Sequence, residues 1–497
     1  MLNPESRIPN RKSRIANPAR PIIFACPSPK SAAKPPELPP VSALVYHTPA
    51  GLIGYYRFNG RQAPILRRNL AMPVSRALVL AVVFATLTGR SFAAEIQPRP
   101  GDWTQFRGPN GSGIAAEARL PTTWSADENV LWKTDLPGPG ASSPILIGDR
   151  IYLTCYTGYS EGRGDINELV RHLVCLNRAD GKIRWTKEVP AKLPEEEKNR
   201  EGHGYSSNTP VADAEHVYVF FGKSGVFAFD HDGKQVWHAN VGDEVNGWGT
   251  AASPILYKNM VIVNASVESG AMYALDRQTG KEIWKAEGIK EAWNTPILAK
   301  TKDGKTELVV AIMRKLLGFD PDTGKPLWNV DTQINWYMAP SLVAHDGVVY
   351  SVGGRGDTGG SLAVRLGGRG SVDDTHRLWF SRKASNVTSP VYHDGHVYWM
   401  HESLSIAYCA EAATGKIVYE ERVPRAGQIY ASPVLADGKI YYFNRQGKAF
   451  VVPAKPEFEL LATNEVESRA TFNSSPAVAD DRLYIRTDKA IYCIAEK

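Results

Sequence analysis

The sequence predicts an all-β protein: an eight-bladed β-propeller of four-stranded antiparallel blades, its ring closed by an amino-terminal strand that completes the last blade. Three observations predict it. The 497 residues include 43 Gly, 12 Trp and 21 Tyr, a composition rich in turns and in aromatic packing positions. A small or hydroxyl residue beside a proline recurs eight times, at intervals close to the length of one blade. Between these marks, a turn built on Asp or Asn and Gly is repeatedly followed by an aromatic residue.

The chain opens with a net basic segment of 71 residues, 11 Lys and Arg against 2 Asp and Glu, rich in Pro and Arg as in Arg11-Lys-Ser-Arg14 and Pro35-Pro-Glu-Leu-Pro-Pro40. From Met72, a positive start at Arg76, an apolar run from Ala77 to Leu87 and the small-x-small sequence Ser91-Phe-Ala93 spell a secretory signal peptide. The run is shorter than the ~20 residues that span a bilayer. The expected organisation is a non-native or disordered basic extension (1–71, with translation beginning at Met72), a signal peptide (72–93), a lead-in segment (94–127) and a propeller (128–497). A basic extension ahead of an uncleaved anchor is the alternative. The formal charge of +6 belongs to the leader, because the residues after it sum to −5. A nucleic-acid partner, which needs a basic patch on the folded domain, is therefore not expected.

A signal peptide places the protein in the periplasm or outside the cell, as a monomer with no transmembrane segment once the signal is removed. No Cys follows the cleavage site to carry a lipid anchor. Cys155, Cys175, Cys409 and Cys493 remain in the body; either the first two form a disulfide or all four are buried thiols. No C-x-x-C-H sequence attaches a haem.

The repeat marks are Ser143-Pro144, Thr209-Pro210, Ser253-Pro254, Thr295-Pro296, Pro340-Ser341, Ser389-Pro390, Ser432-Pro433 and Ser475-Pro476, with intervals of 66, 44, 42, 44, 50, 43 and 43. Each is followed by a short apolar strand A, a turn, a β-rich strand B such as Val217-Tyr-Val-Phe-Phe221, and a strand C ending in an acidic or amide residue. A tight hairpin turn then leads to the aromatic on strand D: Asp or Asn bonds back to its own backbone and Gly takes positive φ. The aromatics at this place are Trp132, Trp185, Trp237, Trp284, Trp328, Trp379 and Tyr419, expected to pack between neighbouring blades. Ile491-Tyr-Cys-Ile494 is a third strand with nothing after it, and Asn129-Val-Leu-Trp132-Lys133 is a fourth strand with no blade before it. Joining the two closes the ring and removes the exposed sheet edges.

Asp276-Arg-Gln-Thr-Gly-Lys-Glu-Ile-Trp284 and Asp320-Pro-Asp-Thr-Gly-Lys-Pro-Leu-Trp328 resemble the repeat of pyrroloquinoline-quinone (PQQ)-type propellers, and Asp102-Trp-Thr-Gln-Phe-Arg-Gly-Pro-Asn110 resembles the opening of secreted PQQ-like propeller proteins. The resemblance covers residues 102 to 497. It implies the fold strongly and function weakly, since the superfamily holds both quinoprotein alcohol dehydrogenases and a non-enzymatic outer-membrane assembly propeller.

Strand order puts the D-to-A and B-to-C loops on one face and the Thr-Gly-Lys turns on the other. The D-to-A loops are aromatic, with Tyr205, Trp248, Trp293, Trp336, Tyr337, Tyr430 and Phe472, and carry amides at Asn294, Asn335, Asn386 and Asn473. The B-to-C loops add Arg314, Arg355 and Arg445. The expected result is an aromatic, slightly basic funnel for a planar cofactor, a sugar polymer or a peptide, unless the aromatics only plug the channel. A long loop at 190–206 with Glu195-Glu-Glu197 and His203 lies on this face. Arg355-Gly-Asp357 reads as a Gly-rich loop rather than an adhesion tripeptide, Phe221-Gly-Lys-Ser224 lacks the upstream glycine of a phosphate loop, and His203 has no second ligand at metal spacing.

A dehydrogenase of the resembled family implies PQQ held over Ca²⁺, an Asp base in a Trp-Asp-Tyr segment, and adjacent cysteines. Here the corresponding segment is Asn335-Trp336-Tyr337 and no two Cys are adjacent. Glu268 and Asn294 are the candidate Ca²⁺ ligands, and no catalytic residue is identified. The sequence favours a non-catalytic binding or scaffolding module for a protein, peptide or polymer, with a periplasmic PQQ- and Ca²⁺-dependent alcohol dehydrogenase as the alternative.

Overall fold

A computed structural model describes residues 96–160, 163–195, 203–467 and 470–497. The extension, the signal peptide and Glu196-Glu197 lie outside the described residues. All the others belong to the unit that begins at Leu87.

Eight antiparallel sheets follow one another, each in the order A, B, C, D. Blade 1 consists of Ile145–Ile147, Arg150–Thr157, Val170–Asn177 and Ile183–Pro190. The A strands of blades 2 to 8 are Val211–Ala212, Ile255–Tyr257, Ile297–Lys300, Val343–His345, Val391–His393, Val434–Ala436 and Ala477–Ala479. Blade 8 continues through Arg482–Arg486 and Ala490–Ile494, and its strand D is Val130–Asp135, paired through Trp132↔Cys493 and Lys133↔Tyr492. The ring is closed by the amino-terminal strand, as the chain ends imply.

Most B and C strands are buried along their length because neighbouring blades cover both faces, which is why these strands are near-continuous apolar runs. D strands lie at the rim and alternate. A bulge interrupts most C–D pairings. In blade 2, Ala228 faces Trp237 and Phe229 faces Gln235, so Val236 is the extra residue and is exposed. The bulge re-aims the Trp toward the next blade.

There the indole Nε1 donates to a turn carbonyl: Trp185 to His231, Trp237 to Arg277, Trp284 to Pro321 and Trp379 to Ala412. The ring lies flat on the turn glycine. At Gly280 (φ +71) a Cβ would run into the Trp237 ring, so this position needs Gly both for its conformation and for space. Trp132 covers Gly181 in the same way across the closing seam. Two of the seven repeat aromatics differ. Trp328 donates to the buried Glu307 carboxylate of its own blade (2.8 Å), because the next blade replaces the turn with an insertion whose Gly370–Ser371 pairs on the rim of blade 4. Tyr419 meets Phe458 edge to face.

The Ser or Thr of each repeat mark has a geometric reason. Backbone N–H groups donate to the hydroxyl of the following blade in succession: Ser143 to Thr209, Thr209 to Ser253, Ser253 to Thr295, Thr295 to Ser341, Ser341 to Ser389, Ser389 to Ser432 and Ser432 to Ser475, all at 2.9–3.0 Å. A row of seven hydroxyls, from blade 2 round to blade 8, therefore lines the channel; at the seam the Ser143 Oγ takes no part. Ser341 occupies the hydroxyl position although its proline precedes it, so the spacings around blade 5 are 46 and 48 rather than 44 and 50.

The four body cysteines are free and buried. Cys155 and Cys175 are not bridged: Cys155 faces His172 and Cys175 faces Tyr152 across the B–C pair.

Candidate functional site

Loops from all eight blades converge on a cavity of about 690 Å³ at one end of the channel. Blades 3 to 5 supply an aromatic wall. Tyr337 stands at its centre, 5.3 Å from Trp293, 5.4 Å from Trp336 and 6.4 Å from Trp248 between ring centroids. Trp248 is 45% exposed at the mouth. Trp293 is held by donating Nε1 to the Gly249 carbonyl at 2.6 Å. The facing wall, from blades 6 to 8 and the 203–207 loop, is polar, with Asn386, Asn473, His203 and Ser207 around Tyr430. Asn386 joins the two walls by donating to the Tyr337 hydroxyl at 3.1 Å, and its backbone N–H donates to the buried Glu402. Arg355 and Glu291, one charge of each sign, complete the lining.

Of the candidate funnel residues, Trp248, Trp293, Asn335, Trp336, Tyr337, Arg355 and Tyr430 line this cavity together. Tyr205 does not: it is buried against Tyr156 and Tyr159. Phe472 packs on Phe443 in the core. Asn294 is fully buried and spends its amide on backbone, donating to the Ala311 and Met338 carbonyls and accepting from the Ala311 N–H. Arg445 lies over Tyr430 and donates to Asn473 and Gln428, behind the wall rather than on it. Arg314 is outside the lining; its backbone exchanges bonds with Thr332 and Ile334. A loop residue facing the channel and one buried behind it carry the same sequence signature, since both are aromatics just ahead of a strand A.

The floor was not legible. The lead-in segment enters from the opposite face and lies along the inner A strands. Trp103 bridges Leu146, the Thr104 carbonyl accepts from Ala212, and Ile114–Ala115 pairs in parallel with Leu435–Ala436. Phe106 reaches both this cavity and a smaller one of about 290 Å³ on the far side. The channel is therefore blind. Arg107, fully buried, donates to the Ser112 and Pro390 carbonyls, and burial lowers its pKa to about 9. Asp102 pairs with Arg178 at 2.5 Å, and Arg178 also reaches Asp480 of blade 8 at 2.9 Å. The lead-in is thus fastened where the ring closes. Its signal lay in Asp102 to Asn110, a polar and aromatic stretch that no strand period explains.

Glu268 sits elsewhere, in a small recess beside the buried Arg171–Glu195 ion pair. Burial raises its pKa to about 8, and its Oε2 has no hydrogen-bond partner. Asn294 does not line the recess that holds Glu268, and its amide is taken up by backbone, so the two are not brought together as Ca²⁺ ligands. Among the described residues no group of three or more His, Cys, Asp and Glu is placed to hold a metal. No carboxylate stands between the aromatics of Asn335-Trp336-Tyr337. These residues do not fit a quinone held over calcium.

Comparison with known proteins agrees with the geometry. The family model described as outer membrane protein assembly factor BamB matches residues 158–311 and 295–497. The outer membrane protein assembly factor BamB of Burkholderia pseudomallei is 22% identical over 75% of this chain and 91% of its own length. The tetrathionate hydrolase of Acidithiobacillus ferrooxidans is 21% identical over 66% of this chain and 67% of its own. Among solved structures, BamB from Moraxella catarrhalis superposes with a TM-score of 0.51 at 14% identity, covering 73% of this chain and 98% of that one. The quinohemoprotein alcohol dehydrogenase of Comamonas testosteroni gives 0.58 at 12% identity, covering 82% of each chain. At such identities the structural likeness speaks for the fold alone, but the family model spans more than half of the chain: it belongs to the PQQ-type repeat propellers of the BamB family.

Proposed function

We propose that this protein is an extracytoplasmic, non-catalytic binding propeller that takes its ligand into the blind aromatic funnel. The observation that carries the reading is the lining itself. It offers stacking surface, amides and hydroxyls, with Glu291 and Arg355 of opposite charge and a His203–Ser207 hydrogen bond of 2.6 Å within the lining. The relatives named as outer membrane protein assembly factor BamB support a binding or assembly role. Among the described residues no helix is long and apolar enough to cross a membrane, and the signal-peptide pattern read from Met72 supports an extracytoplasmic location.

The test is to titrate the purified protein with PQQ and Ca²⁺ while following quinone absorbance and the reduction of a dye by short alcohols. The expected result is no turnover. Dye reduction that saturates with PQQ and disappears in Trp336→Ala would establish the dehydrogenase instead.

A further inference from the structure

The lining selects among ligand classes. A peptide that binds by strand addition pairs with backbone edges. Here the backbone N–H groups of Ser143, Thr209, Ser253, Thr295, Ser341, Ser389 and Ser432 are all given to neighbouring hydroxyls. Below them, the lead-in already covers the inner edges at Leu146 and at Leu435–Ala436. A polyanionic planar ligand needs several cations, yet Arg355 is balanced by Glu291 within the lining.

What the funnel presents is one aromatic wall facing one amide wall. A pyranose ring has the matching division: a C–H face that packs on an aromatic ring, and a periphery of hydroxyls that each donate and accept, suited to amide side chains. We propose that the funnel binds a neutral oligosaccharide, its first ring stacked on the exposed Trp248. Because Phe106 closes the floor, the saccharide enters by a chain end and does not thread through. This rests on the funnel being the binding site and names its ligand class.

The test is calorimetric titration of the purified protein with linear cello-, chito-, xylo- and malto-hexaose at up to millimolar concentration, each also capped with a bulky aromatic group at one end or the other. At least one series should bind. Trp248→Ala should weaken it about tenfold or more, a loss of stacking on the scale of an aromatic contact. One of the two end caps should abolish binding. Raising the salt concentration should leave affinity within about twofold, since a neutral ligand releases no counterions. Absence of binding by every series, or binding that tolerates both caps, overturns the proposal. Tetrathionate, an acidic peptide and PQQ are run beside the sugars. A Trp248-dependent response to one of these alone keeps the funnel as the site and removes the saccharide, whereas binding of any probe with no dependence on Trp248 or Tyr337 removes both.

Discussion

Trp293 and Tyr337 meet edge to face across the boundary between blades 4 and 5, and Trp293 is pinned by its bond to the Gly249 carbonyl of blade 3. One indole thus ties three loops together, while Trp248 beside it is about half exposed at the mouth. The two should separate structure from binding. Trp293→Ala is expected to cost about 3–5 kcal/mol of stability, and Trp248→Ala about 0.5 kcal/mol or less. Urea unfolding of each variant reads the difference; equal losses would mean that Trp248 is part of the core.

The Asp102–Arg178 pair joins the lead-in, blade 1 and blade 8 where the ring closes. Arg178→Met leaves the Asp102 carboxylate buried without its counterion. The expected loss is about 3–5 kcal/mol, measured by thermal or urea unfolding. A variant as stable as the parent would show that the lead-in does not fasten the seam.

Glu268 makes stability depend on pH. The folded protein keeps a proton at this carboxyl up to about pH 8, whereas the unfolded chain releases it near the ordinary value of 4.5. The folded state therefore binds more protons between these limits, and its stability falls as pH rises from about 4.5 to about 8, then levels. Glu268→Gln should remove this slope, so the variant gains relative to the parent as pH rises, by an amount on the order of a few kcal/mol. Unfolding midpoints measured from pH 4 to pH 9 decide it, parallel curves for the two proteins being the contrary result.

The thiols should be silent. Burial raises Cys175 to about 11, Cys409 to about 12 and Cys493 to about 11, and raises Cys155 despite the nearby Arg486. None of the four should react with a disulfide reagent in native buffer at pH 8, and all four should react in denaturant. Rapid labelling of Cys155 or Cys175 without denaturant would contradict the packing of blade 1.

The ring was legible because its determinants are local and repeated: a hydroxyl before strand A, a turn glycine, an aromatic at fixed offset. Ser341 shows the limit. Its proline lies on the other side, and only the bond to Thr295 reveals that the hydroxyl, not the proline, is the conserved geometric part of the mark across these eight blades. The site was half legible. Trp248, Trp293 and Tyr337 follow from loop position, but Tyr205 and Phe472 share that position and turn into the core. The blind floor depends on contacts such as Trp103 with Leu146 and Ile114 with Leu435, pairings between distant segments that leave no periodic trace.

The most direct measurement of the funnel's role uses the indole N–H signals of protein labelled with ¹⁵N-tryptophan, recorded during titration with the linear oligosaccharides and separately with PQQ. With ligand in the funnel, the Trp248, Trp293 and Trp336 signals move, while those of the boundary residues Trp132, Trp185, Trp237, Trp284, Trp328 and Trp379 stay in place. Ligand-dependent shifts confined to the boundary tryptophans would contradict it, because binding would then lie on the blade edges rather than in the funnel.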